Sequence, residues 1–251
     1  MNRKIKNIGK NSVFFGILLL AGLVLFQAQT FYGKRRTGFF QTKEDGAPFG
    51  YFIPQTVQEG KSLPLVVIFG KKATDVMKWK DLAAQDNLVI VAIQPKVGGV
   101  WNYRWDIERA LLKIKEVRNW YSIDPSRIWA TGYEEGGNFA LLMTINHPEI
   151  FVAATAVEAK AAGAWILADD ANSGRKLDPF NYSDESKSHR PLWLLNFTQS
   201  KLVSAEDLQR TNEVLTKYGY PVAYEKIEGE PYSPTQKMIQ QMYGWLKSQK
   251  V

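Results

Sequence analysis

The chain has 251 residues, 45% of them hydrophobic and 13% aromatic, so it can bury a full core and is not expected to be disordered. It has no cysteine, which excludes disulfides and thiolate metal sites, and its two histidines leave few ligands for a metal. Four of the 32 basic residues lie in the first 28 positions; the rest of the chain carries 28 basic and 25 acidic residues, or +3, so we expect no nucleic-acid binding. There is no P-loop and no GxGxxG motif, so no cofactor is expected.

The first thirty residues combine positive charge with a long apolar run. Arg3, Lys4, Lys6 and Lys10 precede an uncharged stretch, 11–33, whose apolar centre is 13–26. This pattern predicts a secretory signal peptide over residues 1–28. A poor cleavage pattern and a length near the ~20 residues that a bilayer requires leave an uncleaved membrane anchor as an alternative, with a buried core helix as a third. Either targeted segment predicts a protein that is periplasmic, extracellular or attached to the membrane.

The remainder of the chain divides into a linker and one domain. Residues 29–48 are polar and basic and are interpreted as a linker, and residues 49–251 as an α/β domain. Short apolar runs alternate in the domain with amphipathic stretches such as 107–121 and 238–245, which predicts a mostly parallel sheet with helices on both faces. A polar, turn-rich stretch over 168–190 predicts a surface insertion. The predicted strands are 51–53, 65–69, 88–93, 128–131, 152–157, 192–195 and 222–227.

One motif is more specific than this alternation. The sequence SIDPSRIWATGYEEGG, residues 122–137, places an Ile-Asp-Pro turn, an arginine and a strand before a glycine-flanked turn. It resembles the nucleophile elbow of α/β-hydrolases of the feruloyl esterase and polyhydroxyalkanoate depolymerase group, and the similarity extends over residues 49 to 249. The resemblance implies an α/β-hydrolase fold with a serine at the apex of a strand-turn-helix.

The three positions at which this family carries its catalytic triad are all substituted. The apex is Glu134, the position of the acid is matched by Ser200, and the position of the histidine is matched by Pro231. His147 lies at the far end of the helix after the elbow, roughly 15 Å or more from the pocket. His189 precedes a strand, whereas chemistry in such sheets lies at the carboxyl ends of the strands. No catalytic residue is therefore expected.

Glu134 itself has three interpretations. A carboxylate can be a nucleophile, but the intermediate that it forms normally requires a histidine base. Alternatively, the carboxylate lies in the anion site formed by Gly70, the Glu135 N–H and the helix N-terminus, or it is simply solvated. If a ligand binds here, the resemblance implies that Phe69, which stands where the family has a histidine, borders it together with Gly70, Glu134 and Glu135.

The loop after the 88–93 strand adds aromatic candidates. Trp101 and Trp105 lie beside Arg104 and could stack on a ligand, although such clusters are more often packed loop. A glycosidase would need two carboxylates about 5 to 10 Å apart across a cleft, and the adjacent Glu134 and Glu135 diverge in direction.

Two functions remain open at this point. The first is an exported or membrane-anchored, non-catalytic α/β-hydrolase-fold protein that binds a ligand or a protein partner, or serves as a structural subunit. The second is a carboxylic ester hydrolase that uses a different set of residues, which fold alone does not exclude.

Overall fold

The computed structural model describes residues 36–44, 47–57, 60–96, 100–102, 105–160, 188–229 and 234–249. The chain divides into two units, 1–36 and 37–251, and all elements below belong to the second. The predicted signal or anchor, most of the predicted insertion and Pro231 lie outside the described residues. Within the described ranges, no helix combines the length and apolar character needed to cross a membrane.

The strands of the described region form one eight-stranded sheet in the order β1-β2-β4-β3-β5-β6-β7-β8. β1 pairs antiparallel with β2, and β2 antiparallel with β4; every other neighbouring pair is parallel. Each predicted strand is present, so the prediction of a mostly parallel sheet is confirmed. The strands are β1 Gly38–Glu44, β2 Ala47–Ile53, β3 Leu63–Phe69, β4 Val89–Ile93, β5 Ile123–Tyr133, β6 Ala153–Val157, β7 Leu192–Phe197 and β8 Val222–Ile227.

The central strands are buried on both faces. Every residue of β3, β4, β6 and β7 is buried, as their continuous apolar sequences predict for parallel strands covered by helices. A 3₁₀ helix (Ala73–Trp79), α1 (Lys80–Asp86) and α5 (Gln236–Ser248) cover one face. The other face is covered by α2 (Trp105–Trp120), α3 (Glu135–Asn146) and α4 (Ala205–Lys217).

The sheet begins earlier than the sequence suggested. β1 and the start of β2 lie within residues 29–48, which were interpreted as a linker. The two strands form a hairpin in which Phe40 is opposite Tyr51, and their rings stack with centroids 4.9 Å apart. This aromatic pairing helps to hold the edge strand on the sheet, although the polar and basic composition of residues 29–48 indicates a loop.

Register brings the carboxyl ends of the central strands together at one edge of the sheet. Phe69 is paired with Gly132, and Tyr133 with Val157, so β3, β5 and β6 end side by side. α3 starts immediately after β5 and is buried along nearly its whole length. Loops and helix starts after these strands therefore share one edge, which is where open α/β sheets bind ligands.

Two helical glycines offer a matched test of this packing. A Cβ on Gly136, in the first turn of α3, would lie 2.0 Å from the carbonyl oxygen of Phe69, whereas a Cβ on Gly244, in α5, would meet nothing within 4 Å. We expect Gly136→Ala to lower the free energy of unfolding by roughly 1–3 kcal/mol or more, because neither backbone can move away. Gly244→Ala should raise it by roughly 0.5–1 kcal/mol through helix propensity. Urea unfolding measures both, and similar effects at the two sites would contradict the packing described.

Candidate functional site

The turn between β5 and α3 has the backbone of a nucleophile elbow. Glu134 adopts φ 53° and ψ −123°, a conformation that residues with a side chain rarely adopt. Its N–H donates to Val157 O at 2.8 Å, and its carbonyl accepts from Asn138 N at 3.1 Å. Such a conformation costs on the order of 1–3 kcal/mol and persists only where the surrounding structure fixes it.

Glycines make this turn possible because they allow the backbones to approach closely. A Cβ on Gly132 would lie 2.0 Å from the carbonyl oxygen of Gly136. One on Gly137 would lie 3.1 Å from Val157 O, tighter than an ordinary contact. The glycines on which the sequence resemblance rests are therefore required by the packing of the turn.

The Glu134 carboxylate forms an ion pair with the Lys71 ammonium group, which comes from the loop after β3. The Glu134 side chain is 25% exposed, and it accepts no capping hydrogen bond from the first turn of α3. The carboxylate is thus paired with a lysine. The interpretation that the helix amides hold it is wrong. The helix amides remain directed at the same edge of the sheet.

A cavity of about 390 Å³ opens beside this ion pair, within the size range of small-molecule sites. One wall is apolar, formed by Trp79, Ile239 and Met242. Of the predicted ligand-binding residues, Phe69, Gly70 and Glu134 border the cavity, and Tyr133 borders it as well. Its charged residues are Lys71, Lys72, Asp75, Lys78 and Glu134.

Of the two hydrogen-bond donors predicted at this edge, the Gly70 N–H is already engaged and the Glu135 N–H is not engaged by any described residue. The Gly70 N–H donates to Ile93 O at 3.0 Å, because Gly70 continues the β3–β4 ladder, so it cannot serve a ligand. The Lys72 N–H is taken by an Asp75 carboxylate oxygen at 3.0 Å. The backbone N–H groups of Lys71 and Glu135 have no acceptor among the described residues. Lys71 borders the cavity, whereas Glu135 does not border it and is only the next residue after Glu134, which does.

The other predicted aromatic and acidic residues lie outside the cavity. Trp101 is buried and stacks on Phe139 with ring centroids 4.2 Å apart, so it belongs to the core beneath Phe69. Trp105 begins α2 and is 58% exposed. The Glu135 side chain is exposed and does not border the cavity.

Ser200 lies after β7 and contacts a carboxylate that the sequence reasoning missed. Its hydroxyl donates to Glu158, which directly follows β6, has φ 54° and is only 1% exposed. Glu158 also accepts from Phe197 N at 2.7 Å, and the Ser200 oxygen accepts from Leu202 N and Val203 N. The pair ties the loop after β7 to the end of β6. The sequence feature that could have indicated Glu158 is an acid directly after an apolar strand.

Both histidines of the chain lie far from the elbow. His147 ends α3 and contacts Glu149 at 3.0 Å, about 20 Å along the helix axis from Glu134. His189 stacks on Tyr220 with centroids 4.5 Å apart, at the amino end of β7. The expectation that neither acts as a base at the elbow agrees with these positions.

Tyr133 brings a neutral hydroxyl to the cavity. Burial, together with the Glu134 and Glu158 carboxylates, raises the pKa of Tyr133 to about 12. The hydroxyl therefore stays protonated at neutral pH and is able to donate a hydrogen bond. In the ranges described, no group of three His, Cys, Asp or Glu side chains is arranged to hold a metal ion.

Comparison with solved structures identifies the architecture. A thermostable esterase superposes with a TM-score of 0.58 at 18% identity over 85% of this chain, which spans 63% of that protein. The S-formylglutathione hydrolase of Staphylococcus aureus gives 0.63 at 15% identity, covering 84% of this chain and 99% of that one. The fluorophosphonate-binding serine hydrolase F of the same organism gives 0.62 at 14%, covering 83% and 96%.

The chain has the α/β-hydrolase fold. The resemblance seen in the sequence is confirmed at this level, and the turn at Glu134 corresponds to the fold's elbow. No family profile and no curated protein matches the sequence. Likenesses under 25% identity show the fold alone, so the activities of these esterases and serine hydrolases remain theirs.

The strain at Glu134 can be measured with two substitutions that both remove the carboxylate. Glycine tolerates a positive φ and alanine does not, so we expect Glu134→Gly to be more stable than Glu134→Ala by roughly 1 kcal/mol. Urea unfolding of the two variants gives the difference directly. Alanine as stable as glycine would mean that the turn is not strained.

The Ser200–Glu158 contact is expected to stabilise the loop after β7. Ser200→Ala removes a donor from a buried carboxylate and should lower the free energy of unfolding by roughly 1–3 kcal/mol. If the contact carries this effect, Ser200→Ala should cost much less in a Glu158→Gln background. Full additivity of the two substitutions in urea unfolding would refute the contact.

Proposed function

We propose that this protein binds, without cleaving it, a small molecule that has an apolar body and a carbonyl or ester group. The observation that carries the proposal is the Glu134–Lys71 ion pair at the apex of the elbow, beside an open cavity of about 390 Å³. The apolar wall suits the carbon body of such a ligand. The free N–H groups of Lys71 and Glu135 suit its carbonyl oxygen.

The chemistry of the site argues against acyl-enzyme turnover. A carboxylate that attacked an ester carbonyl would form an anhydride, and water would then have to be activated to cleave it. A general base must come within about 3 Å of the proton that it removes. His147 lies at the carboxyl end of α3 and His189 at the amino end of β7, both away from the elbow. The Ser200 hydroxyl already donates to Glu158. The elbow thus retains its shape and lacks the groups of the triad.

A carboxylic ester hydrolase is the second candidate, and two observations favour it. The solved structures with this fold are named as esterases and serine hydrolases, which supports hydrolysis better than binding alone. The cavity is also open rather than filled by Phe69 and Glu134. In this alternative, Glu134 would activate a water molecule directly, and the two N–H groups and Lys71 would stabilise the oxyanion.

We further propose that the protein is exported or anchored to a membrane by its N-terminal segment, where a protein partner could also reach it. The support is the sequence alone, four basic residues before an uncharged stretch of signal or anchor length. Recovery of the protein with residues 1–28 intact in the soluble cytoplasmic fraction would contradict this.

A single pair of matched variants separates the two functions. p-Nitrophenyl butyrate is added to the purified full-length protein, to Glu134→Gln and to Glu135→Gln, which alters the adjacent exposed glutamate. We expect no release of p-nitrophenol above buffer in any of them. We also expect the amide resonances of Lys71 and Glu135 in the unsubstituted protein to shift as the intact ester binds.

The other outcomes are equally informative. Release by the unsubstituted protein and by Glu135→Gln, but not by Glu134→Gln, would establish the hydrolase and overturn the binding proposal. Neither release nor any shift of the two amides would show that the cavity takes no ester, and would overturn both.

A further inference from the structure

A second cavity lies at the opposite edge of the sheet, where β3 and β5 begin and α1 and α5 end. We call it the amino-edge cavity; its volume is about 630 Å³. It shares no lining residue with the cavity beside Glu134, which we call the elbow cavity. Trp129 precedes Glu134 by five positions along β5, about 17 Å at a rise of ~3.3 Å per residue. The residues that line it are Pro64, Gln85, Asp86, Asn87, Ser126, Arg127, Trp129, Tyr243, Lys247 and Gln249.

Trp129 contributes a buried donor that lacks an acceptor. The residue is 2% exposed and packs edge-to-face against Tyr243 with ring centroids 6.1 Å apart. Its indole Nε1–H makes no hydrogen bond within the part of the chain that the structure describes. Buried polar groups in native proteins are nearly always paired, so an acceptor from a ligand or solvent is expected here.

The nearest carboxylate is already engaged by other groups. Asp86 accepts from the Lys247 ammonium group at 2.6 Å. Burial and the neighbouring Asp86, which accepts a hydrogen bond from the Tyr243 hydroxyl, raise the pKa of Tyr243. Two donors thus converge on Asp86. Arg127 donates Nε–H to Asp124 and Nη2–H to the Ser62 carbonyl, so its Nη1 group is the one with no described acceptor.

The charges around this cavity favour an anion. An adjoining cavity of about 200 Å³ shares Pro64, Asp86, Asn87 and Arg127 and adds Lys61 to the lining. Arg127 is paired with Asp124 at 2.7 Å, while Lys61 forms no ion pair with any described residue. Lys61, Arg127 and Lys247 therefore outnumber Asp86 and Asp124, leaving a positive excess.

We propose that the amino-edge cavity binds a small organic carboxylate. One carboxylate oxygen accepts the Trp129 Nε1–H, Arg127 pairs with the charge, and Lys61, which lines the adjoining cavity, adds positive charge nearby. The ring faces of Trp129 and Tyr243, together with Pro64, contact the carbon body of the ligand. A carboxylate suits these donors because guanidinium and indole N–H groups both donate to planar oxyanions.

The test uses the indole resonance of Trp129 in the full-length protein, identified by its absence in Trp129→Phe. Benzoate is the probe, and benzyl alcohol is its neutral counterpart of similar size. We expect benzoate to shift this resonance saturably and benzyl alcohol to leave it unchanged. Arg127→Gln should weaken benzoate binding about tenfold and Lys61→Gln several-fold, whereas Lys78→Gln, which alters a lysine of the elbow cavity, should have no effect.

Three results would overturn the proposal. Equal shifts with benzyl alcohol would make the cavity a general apolar site. Equal or stronger binding of inorganic phosphate would remove the organic carboxylate as the ligand. No shift with any probe, with the indole proton exchanging rapidly, would show that water alone satisfies Trp129. Because the readout lies at the amino edge, these results do not depend on whether the elbow cavity binds an ester.

Discussion

Gly136 approaches the carbonyl of Phe69 so closely that no side chain fits between them, and the arrangement of the elbow depends on this contact. It fixes the start of α3 against the end of β3, and Gly132 fixes it against the end of β5. With both helix and strand held, the residue between them has little freedom. Glu134 must then adopt its positive φ, and its side chain is directed at the edge where the central strands end.

This constraint explains why the backbone of the elbow forms with a glutamate at its apex. Gly132 and Gly136 are required for packing whatever residue stands there, since a side chain at either position would push apart two buried backbones. A change at the apex affects only a partly exposed side chain. The chemistry of the site can therefore change while the fold stays, which is why an elbow motif is strong support for a fold and weak support for an activity.

The sequence predicted the parts of the fold that depend on local pattern. Continuous apolar runs identified β3, β4, β6 and β7, and the 3.6-residue period identified α2 and α5. It missed β1, whose polar residues are held by one aromatic pair, and the short 3₁₀ helix and α1, which lack a clear period. At the site, the sequence indicated Glu134 but not its partner. Lys71 follows β3 and meets β5 only because the strands are neighbours, and no local pattern carries that information.

Local sequence pattern also does not reveal which groups satisfy a buried charge. The sequence matched Ser200 to the position of the family's acid but did not indicate that its hydroxyl donates to Glu158, which stands at the end of a different strand. A buried carboxylate without a cation among its described neighbours must be satisfied by hydrogen bonds, and Phe197 N and Ser200 supply them. These hydrogen bonds join the end of β6 to the end of β7. Glu158 also acts electrostatically, since burial together with the Glu134 and Glu158 carboxylates raises the pKa of Tyr133.

β5 borders a different cavity at each of its ends. Arg127 and Trp129 lie where the strand begins, and Tyr133 and Glu134 lie where it ends. Between them, Ala130 and Thr131 are enclosed by the neighbouring strands, with the Thr131 hydroxyl paired to that of Thr155 at 2.8 Å. A close-packed strand of this kind can hold a different charge distribution at each edge of the sheet. The residue at the apex of the elbow therefore places no restriction on the side chains at the other edge.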